Sequence, residues 1–203
     1  MNPFVEVWGL LGGGLGFLIS LPQLVRVVKN KSQVGVSLTT WLFITMSCFG
    51  WTAYGFRFNS FSQITTNIVA AILAVTLTTI LLRAYVPLWL NVLIVMGIGT
   101  SSVLVVTFAP VIVMDLWLYT ALLSRVPQTW ASFQSMRLGR TSMVSISSYV
   151  LSGASGAAWI VYGMLSGLDI VAYFSVMILV FSVLVVAFEG IARRRAGMAP
   201  TAS

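Results

Sequence analysis

Val36-Ser37, Ser47, Trp51 and Tyr54-Gly55 form a pattern that the chain writes a second time, 108 positions later, as Val144-Ser145, Ser155, Trp159 and Tyr162-Gly163. A Pro-Gln pair and a basic run introduce each copy: Pro22-Gln23 with Arg26, Lys29 and Lys31, then Pro127-Gln128 with Arg137 and Arg140. The two Pro-Gln pairs stand 105 positions apart, so the second copy carries three extra residues in its basic loop. A duplicated unit fixes architecture before any single motif does. In a chain this apolar, duplication points to a transporter.

Composition names the solvent. Of the 203 residues, 59% are hydrophobic and 7% are charged, with a mean hydropathy of +1.00. Soluble domains carry about 25% charged residues. A helix crossing the bilayer needs about 20 apolar residues. Seven stretches qualify: Phe4–Val28, Val36–Phe56, Phe61–Leu82, Leu88–Phe108, Val111–Phe133, Met143–Leu165 and Asp169–Gly190. The first lacks the basic leader of a signal peptide and holds part of a repeat. The expected fold is an all-α membrane protein of seven transmembrane helices, two parallel three-helix repeats joined by a linker helix in a 3+1+3 order. The first repeat is expected over 4–83, the linker over 84–110, the second repeat over 111–191 and a basic tail over 192–203. Three spans per repeat is an odd number, so the linker is what lets both units share one orientation, related by an axis along the membrane normal.

Net charge is +7, and its placement decides its meaning. Ten of the eleven basic residues fall between or after spans on one side, and only Arg57 falls opposite. The positive-inside rule then sets the N-terminus outside and the C-terminus in the cytosol. The charge therefore reads as topology and excludes a nucleic-acid footprint. Cys48 is the single cysteine and there is no histidine, so no intrachain disulfide, metal cluster or bound cofactor is expected. The expected setting is the plasma (inner) membrane, with the lipid bilayer and a small solute as partners and a homo-oligomer compatible with the pattern.

Both Pro-Gln pairs fall inside spans. Pro22 cannot donate to the carbonyl of Leu18, nor Pro127 to that of Leu123, and each should kink its helix. Their occurrence at the same place in both copies makes Pro22, Gln23, Pro127 and Gln128 a candidate cytosolic hinge or gate.

Pro22-Gln23, the basic run, Val36-Ser37-Leu38, Trp51, Tyr54-Gly55 and Asn67 together resemble the PQ-loop superfamily, and within it the SWEET and SemiSWEET sugar transporters. The likeness covers nearly the whole chain. It implies movement of mono- or disaccharides by alternating access, with a tryptophan and an asparagine from each repeat holding the sugar. Trp51, Asn67 and Trp159 match those positions, and Ser175 stands where the second asparagine is expected. Indole faces suit the C–H faces of a sugar, and an amide both donates to and accepts from hydroxyls. Serine has less reach, so the site is expected to be asymmetric. Spans two and six also lack the prolines usual in that family.

Proton coupling needs an ionisable group near the path. The four carboxylates, Glu6, Asp115, Asp169 and Glu189, all fall near expected helix ends, and only Asp115 is a candidate proton site. Facilitated diffusion of a neutral polar solute is the favoured reading. A PQ-loop carrier of amino acids or vitamins and a non-transporting receptor or assembly factor are the alternatives; no residue pattern supports an enzyme. Arg57 and Asp169 are expected to approach each other at a closed outer gate, with Tyr54 and Tyr162 as the layer beneath.

Overall fold

The computed structural model describes residues 2–30, 36–140 and 144–198, with the side chains of Pro22, Gln23, Arg26, Asn30 and Met198 also outside the description. Among the described residues every regular element is helical: α1 (Pro3–Asn30), α2 (Leu38–Arg57), α3 (Phe61–Leu82), α4 (Leu88–Phe108), α5 (Val111–Tyr119), a 3-10 segment (Thr120–Arg125), α6 (Val126–Leu138), α7 (Ile146–Ser166) and α8 (Asp169–Met198). Four of these are long and apolar enough to cross a membrane, at Pro3–Leu21, Phe61–Leu82, Leu88–Phe108 and Asp169–Gly197. Seven were expected. α2 and α7 dilute their hydropathy with a file of Ser and Thr, and the expected fifth span is broken into α5, the 3-10 segment and α6.

The repeated residues have local jobs. Ser37 and Ser145 are the N-caps of α2 and α7, each hydroxyl accepting from the backbone N–H three residues on, at 3.3 and 3.4 Å. Gly55 and Gly163 sit at the other ends of those helices. A Cβ on Gly55 would lie 2.9 Å from the Ile64 nitrogen, and one on Gly163 would lie 2.5 Å from that of Ala172. Their missing side chains let α3 and α8 close tightly onto α2 and α7.

Packing follows the duplication. In the first half α3 lies between α1 and α2; in the second, α8 lies between α6 and α7. The halves meet through α1 on α7 and, in the matching position, α2 on the 3-10 segment, while α4 lies outside against α2. Polar contacts tie helices together inside this apolar body. The Thr45 and Thr78 hydroxyls share a 2.8 Å hydrogen bond, Asn91 donates to the Thr79 carbonyl at 2.9 Å, and Ser102 donates to the Met46 carbonyl at 2.8 Å. Each is worth about 0.6 kcal/mol in lipid.

Pro127 does not kink a continuous helix as expected; it sits in the first turn of a new one. A proline at that position needs no N–H partner. The carbonyl of Leu123, which Pro127 cannot serve, accepts instead from the Val126 N–H in a 3-10 bond. Thr120 and Ser124 turn their hydroxyls back onto the Trp117 and Ala121 carbonyls, a habit that bends helices. α1, by contrast, runs unbroken through Pro22. α8 also overruns the expected boundary, carrying Arg193, Arg194 and Arg195 inside a helix that ends at Met198.

Candidate functional site

A cavity of about 570 Å³ lies between the two halves. Trp51 from α2, Asn67 from α3, Trp159 from α7 and Ser175 from α8 all stand on its wall, as do the repeat-matched Ser47 and Ser155. The structure thus brings together the four residues singled out for solute contact. Its size falls within the roughly 300–1,000 Å³ typical of small-molecule sites.

Each indole is held edge-on by the tyrosine one turn further along its own helix: Trp51–Tyr54 and Trp159–Tyr162 ring centroids are both 5.3 Å apart. Trp51 also meets Phe174 edge-on at 5.0 Å, which leaves it buried, whereas Trp159 is half-buried. Trp159 gets its place from α1. A Cβ on Gly12 would come within 2.7 Å of the indole, and Ser155 donates to the Gly12 carbonyl at 2.7 Å. Asn67 spends its amide N–H groups on Gln63, at 2.9 Å to the carbonyl and 3.0 Å to the side-chain oxygen. Among the described residues no protein group donates to its Oδ1, which suits a solute hydroxyl. Ser175 is buried on the same wall and offers one short hydroxyl where Asn67 offers an amide.

Aromatic side chains separate the cavity from the end of the molecule that bears Arg57 and Asp169. Tyr54 and Tyr162 are 2% and 0% exposed there, in a core that draws Val5 from α1, Met114 and Leu118 from α5, and Val171 and Phe174 from α8. The Tyr162 and Ser60 hydroxyls are hydrogen-bonded at 2.5 Å, joining the two halves across this layer. The other core of buried apolar residues, around Val27, Trp41, Leu77 and Leu81, belongs to the first half alone. The Arg57 end is therefore the sealed one.

Arg57 and Asp169, expected to approach each other at a closed outer gate, form no ion pair among the described residues. Arg57 donates to the Val106 carbonyl at 2.6 Å and to that of Ala109 at 3.4 Å, and lies over the Phe58 ring. The carbonyl end of α4 attracts a cation through unsatisfied acceptors and the helix dipole. Asp169 is exposed at the first position of α8. Asp115, the candidate proton site, lies on α5 within the field of Arg57 and is absent from the cavity wall. Glu6 holds the start of α3, accepting from the Ser62 and Phe61 N–H groups at 2.7 and 3.3 Å. Glu189, expected near a helix end, is fully buried, and α8 runs nine residues past it. Pro127 is exposed and Gln128 half-buried on α6; the side chains of Pro22 and Gln23 lie outside the described residues.

Three contributors went unread in the sequence. The run Gly9 to Gly16 gives α1 a face without side chains, on which Ser62 and Tyr162 meet Gly9, Trp159 meets Gly12 and Thr66 meets Gly13. Its small-residue spacing was a visible signal. Gln63 orients Asn67 from one turn away, a relation that needs only helical spacing to see. Arg125, counted as a topology charge, stands on the cavity wall.

Residues 15–87 match the profile of a family described as "Sugar efflux transporter for intercellular exchange". A solved structure described as a eukaryotic SWEET transporter, 15% identical, superposes with a TM-score of 0.70 over 94% of this chain and 99% of that one. No curated protein sequence matches the chain. The resemblance read from the repeated motif is borne out by the profile match, and at this identity the structural likeness shows the fold.

Proposed function

We propose that the protein is a membrane transporter for a small polyhydroxyl, sugar-like solute, moved by alternating access between two three-helix repeats. One observation carries this: residues matched between the repeats, Trp51 with Trp159 and Asn67 with Ser175, line one cavity between the halves. The sugar efflux description of the matching family supports the same solute class. In this reading α1–α3 form one repeat, α4 the linker, and α5 through α8 the other, with the interrupted fifth helix crossing as a single span. The Tyr54–Tyr162 layer is the closed outer gate, the N-terminus faces out, and the cavity communicates with the cytosol. Two stacked indoles and a set of hydroxyl and amide groups present what a sugar ring requires: flat apolar faces and paired donors and acceptors.

Reconstitution into proteoliposomes tests it. Radiolabelled glucose and sucrose should enter vesicles holding the protein and not empty ones, and an imposed pH gradient should leave the rate unchanged. Uptake of amino acids alone, or acceleration by the gradient, would replace the sugar facilitator with a coupled carrier. Absence of transport across the panel would return the fold to a receptor or assembly role.

A further inference from the structure

Resting on the transporter reading above, we propose that Arg125 makes this cavity selective for an acidic member of the solute class, a monoanionic sugar acid rather than a neutral sugar. Arg125 is the one charged residue on the cavity wall among the described residues. It donates from Nη1 to the Ser152 hydroxyl at 2.8 Å, and Ser152 in turn accepts from Ser182 at 3.1 Å. Tyr149 lies in its electrostatic field. Among the described residues no carboxylate forms an ion pair with it, and the buried Glu189 acts on the same Tyr149 from α8.

A cation beneath a bilayer's surface is costly unless an opposite charge meets it. Here the neutral Ser152 fixes the guanidinium's position without cancelling its charge, and the side chain stands on the cavity wall. A carboxylate entering the cavity supplies the missing charge, and guanidinium geometry suits it through two parallel hydrogen bonds. One guanidinium balances one negative charge, so a monoanion fits better than a dianion such as a sugar phosphate. The indoles and Asn67 then hold the ring while Arg125 holds the acid group.

Local structure explains why a residue that reads as a topology charge reaches the wall. In a 3-10 helix residues three apart eclipse, so Arg125 lies over Leu122, itself on the wall. Across six residues the tighter winding turns the following side chains roughly 120° from where an α-helix would put them. The first repeat has no such residue: aligned on the Pro-Gln pairs, its counterpart is Ser20. The charge is a property of one half only.

Reconstituted wild-type protein, offered labelled glucose and labelled glucuronate in separate and competing uptake, decides the point. Glucuronate should be preferred at least ~10-fold. Because each turnover then carries one negative charge, a potassium–valinomycin potential, positive inside, should drive accumulation, up to roughly 50-fold at 100 mV. Arg125→Gln should abolish the preference and the response to potential, and Arg125→Lys should keep part of both. If wild-type protein carries glucose at least as well as glucuronate, with no response to potential, the inference fails while the sugar-facilitator reading stands. If it carries neither, both fall.

Discussion

At the scale of single residues, the repeat pattern sorts into caps, close approaches and cavity contacts, and each class breaks differently. Trp51→Ala and Asn67→Ala should lower uptake ~10-fold or more with folding intact, because each removes a wall element with no neighbour able to replace it. Ser175→Ala removes one hydroxyl, worth about 0.5–1.5 kcal/mol, so its loss should be only ~2–12-fold. Initial uptake rates in vesicles, set against a thermal unfolding curve in detergent, separate the two effects. Gly163→Ala should do the reverse. Its new Cβ would meet the Ala172 backbone at 2.5 Å, an overpacking that costs about 1–3 kcal/mol and should lower the unfolding temperature. Gly190→Ala, whose Cβ would meet no neighbouring element within 4 Å, is the matched control inside a helix and should unfold no earlier than wild type.

At the scale of elements, the broken fifth helix separates two proline environments that look alike in sequence. Pro127→Ala restores a backbone donor and frees residues 120–125 to wind as an α-helix, which would rotate Arg125 relative to the wall. Affinity and rate should both change, whereas Pro22→Ala, in an unbroken helix, should change the rate alone. Equilibrium binding measured beside turnover in the same preparation checks this split. The contrast also marks what was legible beforehand. Helix count along most of the chain and the tight pairing within each half followed from hydropathy and the repeat, while the Trp51, Asn67, Trp159, Ser175 set came from the family resemblance. The 3-10 segment did not, because Pro127 constrains only its own nitrogen and the Leu123 carbonyl. Whether the chain kinks or rewinds there depends on Thr120, Ser124 and the packing of α2. The hydrogen bond from Arg57 was illegible for a similar reason: its acceptor is a backbone carbonyl 49 residues away, which no side-chain pattern announces.

At the scale of the whole molecule, the Tyr162–Ser60 hydrogen bond and the aromatic core hold one end shut, while no matching core of buried residues spans the halves at the other end among the described residues. Tyr162→Phe removes a tie worth about 0.5–1.5 kcal/mol, so the open form of that end should rise ~2–12-fold relative to the closed one. Spin labels on the exposed Asn59 and Asp169 would report this as a growing long-distance population; an unchanged distribution would assign closure to the aromatic core alone. The bare glycine face of α1 has a wider consequence. It receives Trp159 from the other half, while at the equivalent contact α2 offers the small Gly50 to Leu118 of α5. One half brings small residues to both contacts and the other brings large ones, so the copies are complementary and no longer interchangeable. Expressed as separate chains, fragments 1–83 and 84–203 should find each other and co-purify. Two copies of the second fragment would set Met114, Trp117 and Leu118 against a second Trp159, bulk against bulk, and should not pair. Co-purification of the two fragments, with no self-pairing of the second, would make the duplicated protein its own heterodimer and the linker the device that keeps the partners in equal number.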